Sequence, residues 1–361
     1  MIYDNRLVAY VLAALMVAMV VSFLMTPVVK SLAYKVGAID VPRDNRRMHT
    51  KPVPRLGGLA IFIGFMVSTL LFVPVMTDTE LRSILLGSVV IVVLGVIDDS
   101  MALPALLKFV VQIAAALIPV LNGVTIRAFS NPNVFSENLY WVLGPLSIPL
   151  TVLWIVAITN SVNLIDGLDG LANGVSTISA TTMLVIALLV GEPEVSIVLA
   201  ALVGASAGFL PYNMNPAKMF MGDTGATFLG FILATMSIQG LFKYYAVISF
   251  VVPFLILGLP IFDTAFAFFR RLAHGQSPMQ ADRGHIHHRL IDMGLSQKQA
   301  VATLYVISAI LGLSAVVLTT GGEQRAMLLF AALCIAAVMA SRQVFPRENG
   351  ESGDGNGDGE P

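Results

Sequence analysis

Six carboxylates stand at or near the ends of long apolar runs: Asp98, Asp99, Asp166, Asp169, Asp223 and Asp263. A carboxylate at membrane depth is costly, so it normally faces a protein interior or a water-filled cavity where its charge is used. Such acids can hold a divalent cation, take up a proton or orient a cationic group. The chain has a single cysteine, Cys334, so there is no thiolate cluster. Scattered oxygen donors suit Mg²⁺, or Mn²⁺ in its place, better than a structural zinc. The acids read as the floor of one site for a metal and a phosphorylated substrate.

Five of these acids sit in polar motifs, and each motif has a rival explanation. Asp98 and Asp99 close one apolar run and Lys108 follows in the next; the rival is a helix cap, because negative charge is favoured at helix starts. The stretch NSVNLIDGLDGLANG, Asn160 to Gly174, sets Asn163, Asp166 and Asp169 three residues apart, near one face if helical. Gly167, Gly170 and Gly174 argue instead for a turn with close backbone approach. An EF-hand is excluded, since the alternating oxygen ligands and the closing Glu are missing. FMGDTG, Phe220 to Gly225, puts Asp223 just before a span, as an N-cap or as a Mg²⁺ ligand. RGHIHHRL, Arg283 to Leu290, groups His285, His287 and His288 with two arginines. That patch suits phosphate or sugar contacts; zinc binding and a solvated loop face are its rivals. RDNRRMHTKPVPRLGG, Arg43 to Gly58, carries His49, Lys51 and Arg55, either as a topology-setting charge cluster or as a clamp for an anionic substrate.

The elements that must position these motifs are membrane helices. The chain has 361 residues, 57% of them hydrophobic and 12% charged, where about 25% charged is usual for a soluble domain. Mean hydropathy is +0.83. A span needs about 20 mostly apolar residues. Eleven stretches qualify: roughly 7–27, 57–76, 82–97, 103–121, 145–160, 174–190, 195–213, 225–241, 245–268, 300–319 and 326–342. The predicted fold is an all-α polytopic membrane protein of about eleven transmembrane helices. The first run reads as a retained span rather than a signal peptide. Pro145 and Pro149 predict an irregular fifth span, and Pro253 and Pro260 a kinked or broken ninth. Residues 1–345 form the membrane domain, and 346–361 a disordered, acidic, Gly-rich tail.

Threading the spans puts sixteen Lys and Arg on one side and five on the other. The positive-inside rule makes the first side cytoplasmic, with the N-terminus outside and the C-terminus inside. The five polar motifs all fall on the cytoplasmic side. The outer loops hold no comparable cluster, and Tyr140 and Trp141 read there as interface anchors. A secondary transporter is the rival class, but its charges would lie near the midplane between repeats, and no repeat is visible. Nucleic acid is not an expected partner, and a homodimer is left open.

The ordered set HTKPVPRLGG, Asp98-Asp99 with Lys108, NxxNLIDGLDGL, FMGDTG and HIHHRL resembles the polyprenyl-phosphate N-acetylhexosamine-1-phosphate transferase family, a glycosyltransferase 4 family. The resemblance covers about residues 20 to 340. It implies Mg²⁺-dependent transfer of a hexosamine 1-phosphate from a UDP-sugar to a polyprenyl phosphate, with UMP released, at the cytoplasmic face of a bacterial inner membrane. It also implies roles: Asp223 as the Mg²⁺ ligand; Asp98 to deprotonate or orient the lipid phosphate, beside Asp99 and Lys108; Asn163, Asp166, Asp169 and Phe220 around the nucleotide; His285, His287 and His288 at the diphosphate or sugar. Asp263, Arg270 and Arg271 resemble family positions more weakly. HIHHRL is similar to the branch that uses UDP-N-acetylglucosamine and undecaprenyl phosphate to start teichoic acid, O-antigen or related glycans. The branch that transfers phospho-N-acetylmuramoyl-pentapeptide has three consecutive histidines.

Overall fold

The computed structural model describes residues 5–41, 52–130, 140–242, 251–273, 275 and 284–321. Long apolar runs with few helix breakers become helices, because a backbone in lipid must satisfy its polar groups internally. They are α1 (Asn5–Val36), α2 (Gly58–Phe72), α3 (Thr79–Met101), α4 (Ala105–Leu121), α5 (Ser147–Leu164), α6 (Leu171–Val190), α7 (Pro193–Asn213), α8 (Gly222–Ser237), α9 (Val251–Ile256), α10 (Gly258–Ala273), α11 (Ile286–Asp292) and α12 (Gln297–Gly321). Among the described residues six apolar segments are long enough to cross a membrane, and α2 and α4 are shorter apolar helices. The protein is an all-α membrane protein.

The core is built around α8. Every residue from Thr224 to Ser237 is buried, and the helix packs against α2, α3, α5 and α6. A helix that is apolar all round belongs at such a centre. A second layer joins α1, α2 and α7. There Gly204 and Gly208 let α7 settle onto the backbone of α1, the small-residue contact common between membrane helices.

Two proline expectations resolve differently. The fifth span is regular from Ser147, because Pro145 lies in a short 3₁₀ turn and Pro149 in the first turn of α5, where a missing N–H costs nothing. The ninth is broken at Leu257. Pro260 cannot donate to the carbonyl of Ile256; Ser179 Oγ of α6 donates to it instead, at 2.8 Å. The sequence reading missed three elements: the short α11, the antiparallel pair Ile39–Asp40 with Val53–Pro54, and the pair Ala128–Ser130 with Tyr140–Val142. The eleventh stretch and the tail lie outside the described residues.

Candidate active site

The C-terminal ends of α3, α5 and α7 meet the N-terminal ends of α4, α6 and α8 at one end of the bundle. Lys108, in the first turn of α4, donates from Nζ to Asp98 Oδ2 and to Asp223 Oδ2, both at 2.9 Å. Asp98 Oδ1 accepts from Leu103 N at 2.7 Å. The α3–α4 turn is tight, with Ala102 in the left-handed region at φ 51°, and this bond helps hold it there.

Asp99 is turned the other way. Its Oδ1 accepts from Asp223 N at 3.0 Å, and its Oδ2 from Thr224 N at 3.0 Å and Thr224 Oγ1 at 2.6 Å. It satisfies the free amides at the start of α8 from a neighbouring helix. Asp99 thus caps a helix, although that helix is α8 and not the next one in sequence, and it also lines the cavity at this end of the bundle. Gly222 makes this contact possible: φ is +72°, and a Cβ there would overlap the Asp99 carboxylate. The segment after Lys51 runs beside FMGD. Phe220 N donates to Pro54 O at 2.9 Å, Gly57 N to Phe220 O at 3.0 Å and Gly58 N to Met221 O at 2.8 Å. Arg55 and Phe220 are thereby paired, and Arg55 Nε donates to the Asp99 backbone oxygen at 3.2 Å. His49 and Lys51 lie outside the described residues.

Between α5 and α6 the glycine-rich stretch forms a turn, so Asn163 sits on α5 while Asp166 and Asp169 sit in the turn. Asp169 Oδ2 accepts from Asn215 Nδ2 at 2.9 Å and from Ala217 N at 3.0 Å. Asp166 is half-buried at the surface, but protein encloses its carboxyl. That burial, reinforced by the charges of Asp223, Asp99 and Asp169, pushes its pKa up to about 8.

The histidines take three different positions. Buried Asp263 of α10 bonds His285 Nδ1 at 2.9 Å through Oδ2 and accepts from Ile286 N at 2.7 Å through Oδ1. This fixes the start of α11. Arg270 Nη1 donates to Gly284 O at 3.2 Å, and Arg289 lies 4.9 Å from the Phe266 ring centroid. His287 is buried between His285 and His288, with its Nε2 against Gly167. Burial, then the neighbouring His288, lower its pKa to about 4, so its ring is neutral at pH 7. Of the three, only His288 lines the cavity that these elements enclose.

That cavity is about 370 Å³, with Arg55, Asn163, Asp166, Asp169, Phe220 and Asp223 in its wall. Its size is that of a small-molecule pocket. Asp40, Asn213 and Gln297 also line it, and motif reading had not singled them out. No run of charge or histidine marks them. Lys108 stands behind Asp223 as its ion-pair partner and bridges it to Asp98. Among the described residues no three His, Cys, Asp or Glu side chains form a ready metal cage. The mutual repulsion of Asp166 and Asp223 at the cavity wall nonetheless fits Mg²⁺, which one or two carboxylates commonly hold together with substrate phosphates.

The far end of the bundle carries a smaller acidic cluster that the sequence reading did not name: Asp78, Glu80, Glu192 and Glu194 surround a cavity of about 90 Å³ with Gln239. It escaped notice because its members come from the starts of α3 and α7 and the segment after α8, each unremarkable alone.

Fold and site together define an integral membrane protein with an acid-lined polar cavity at one end of its helices. Residues 81–241 match glycosyl transferase family 4. The chain is 44% identical, over 87% of its length and 86% of the other's, to the probable undecaprenyl-phosphate N-acetylglucosaminyl 1-phosphate transferase of Bacillus subtilis. It is 33% identical to the decaprenyl-phosphate N-acetylglucosaminephosphotransferase of Mycolicibacterium smegmatis, over 89% and 86%. It is 32% identical to the phospho-N-acetylmuramoyl-pentapeptide-transferase of Staphylococcus aureus, over 84% and 96%. The chain belongs to glycosyl transferase family 4 and is a phosphoglycosyl transferase.

Proposed function

We propose that this protein transfers N-acetylglucosamine 1-phosphate from UDP-N-acetylglucosamine to undecaprenyl phosphate, releases UMP and so starts a cell-envelope glycan. The observation that carries this reading is the cluster Asp98–Lys108–Asp223 beside a cavity walled by Arg55, Asp166, Asp169, Phe220 and His288. Likeness to the Bacillus subtilis relative supports the donor and acceptor. In phosphoryl transfer a protein mainly positions groups and neutralises charge. Asp223, with Asp166, would hold Mg²⁺, which would polarise the diphosphate and stabilise departing UMP. The lipid phosphate is already anionic at pH 7 and needs little activation. Both oxygens of Asp98 are engaged, which favours orientation of Lys108 over proton removal. Lys108, Arg55 and His288 supply donors for phosphate oxygens. Phe220 offers an aromatic face for the base. An apolar groove of about 400 Å³ along α5, α9 and α10, walled by Leu153, Trp154, Phe254, Phe268 and Phe269, suits a polyprenyl tail.

The same reading sets eleven spans across a bacterial inner membrane, with the cavity facing the cytoplasm, a membrane domain over 1–345 and a tail over 346–361. The test is UMP release by detergent-solubilised protein with Mg²⁺, undecaprenyl phosphate and a panel of UDP-sugars. UDP-N-acetylglucosamine is the expected preferred donor. Preference for UDP-N-acetylmuramyl-pentapeptide would transfer the protein to that branch, and no UMP from any donor would overturn the reaction. Orientation is tested separately, in a Cys334→Ser background. A cysteine at Lys218 should resist impermeant thiol reagents in intact cells, and one at Met76 should react.

A further inference from the structure

Helix α12 contains none of the motifs, yet two of its side chains grip the turn between α5 and α6. Tyr305 donates from its hydroxyl to Gly170 O at 2.6 Å. The same carbonyl accepts from Gly174 N at 2.9 Å, an early bond of α6. Gly174 is bare where the phenol lies, and a Cβ there would overlap the hydroxyl and ring. A glycine inside a helix costs about 1 kcal/mol relative to alanine, and here it makes room for that contact. Two turns earlier on α12, Gln297 Oε1 accepts from Asn215 Nδ2 at 2.7 Å. The Asn215 amide also donates to Asp169 Oδ2 at 2.9 Å. One helix thus holds the backbone of the turn at Gly170 and, through Asn215, the carboxylate of Asp169. Asp98, Lys108 and Asp223 are held instead by α3, α4 and α8.

We propose that α12 is the positioning element of the donor-nucleotide turn. Tyr305, and Gln297 through Asn215, set the affinity for the UDP-linked donor without contributing to the transfer step. This rests on reading the cavity as the donor pocket. Tyr305 is outside the cavity wall, so it acts through the turn as a positioning residue.

The experiment is Tyr305→Phe, which removes only the hydroxyl, assayed for both substrates and for equilibrium binding of UDP. The KM for UDP-N-acetylglucosamine should rise roughly two- to tenfold, the worth of one hydrogen bond. UDP binding should weaken by the same factor, while kcat and the KM for undecaprenyl phosphate stay unchanged. Asn215→Ala, which breaks the link from Gln297 to Asp169 at a residue outside the cavity wall, should give the same split. An unchanged donor KM in both variants, equal losses toward both substrates, or a loss confined to kcat would overturn the inference. If wild-type protein binds UDP but releases no UMP, the proposed reaction fails while the binding comparison still tests α12. Wild-type protein that binds no UDP overturns both.

Discussion

The two ends of the helix bundle both gather carboxylates, and they treat them differently. At the end with the family motifs, Asp98 and Asp223 share the ammonium of Lys108, Asp99 is spent on the amides that open α8, and Asp166 and Asp169 face a cavity of about 370 Å³. At the far end, Asp78 caps α3 by accepting from Leu81 N at 3.0 Å, Glu80 accepts from Gln239 at 2.6 Å, and the enclosed space is about 90 Å³. Acid count therefore does not distinguish a site from a set of caps. The distinction lies in charge held together against repulsion around a space large enough for a ligand. The near end strains its carboxylates, and Asp166 rises to about 8. At the far end a helix start relieves Asp78 and one amide relieves Glu80, around a space too small for a sugar nucleotide.

The sharpest way to break this comparison is to remove one acid from each end. Asp223→Ala should lower UMP release by about a thousandfold or more, because it removes both the carboxylate proposed to hold the metal and the partner of Lys108. Glu194→Ala should leave turnover within about twofold, as for an exposed surface change. Comparable losses at the two ends would erase the distinction. Gly222→Ala comes next. It forces a Cβ into the left-handed region and into the Asp99 carboxylate, displacing the start of α8 and with it Asp223. We expect about a hundredfold loss of turnover, since misplacement of around 1 Å costs that much. Normal turnover would show that the α8 cap can move without cost.

A pH series probes the near end through His287, whose buried ring is held neutral. Its folded pKa of about 4 lies below the ordinary 6.5, so the unfolded chain takes up a proton first as pH falls. The stabilisation is complete above about pH 6.5 and is lost progressively toward pH 4, in total about 3 kcal/mol. The thermal midpoint of wild-type protein in detergent should fall across that window more steeply than that of His287→Gln. Parallel curves would remove His287 as the cause. The smallest effect belongs to the far end. Asp78→Ala should cost about 1 kcal/mol of stability, the worth of an N-cap, with turnover unchanged. A loss of turnover there would mean that the far cluster is coupled to the site.

Much of this was legible in the chain. The spans of α3, α4, α6 and α7 were read within a few residues of their ends, because apolar length is a strong local signal. The break near Pro260 followed from a missing N–H. The polar motifs pointed to one end of the bundle because alternating spans bring their flanks together. Other features were not legible. The histidine trio read as one donor patch, but Asp263 draws His285 inward, Gly167 receives His287, and His288 alone reaches the cavity. The adjacent acids Asp98 and Asp99 read as one unit, but successive residues on a helix point about 100° apart. One therefore meets Lys108 and the other meets α8.

What the sequence determined by itself was the membrane-helix composition, the placement of charged motifs at span ends and the family those motifs share. All of these depend on residue type and spacing along the chain. The tertiary structure alone decided which partner each charge takes. Asp99 meets Thr224 125 residues away, and Tyr305 meets Gly170 135 residues away. Such contacts depend on how helices pack and rotate against one another, and no local pattern encodes that.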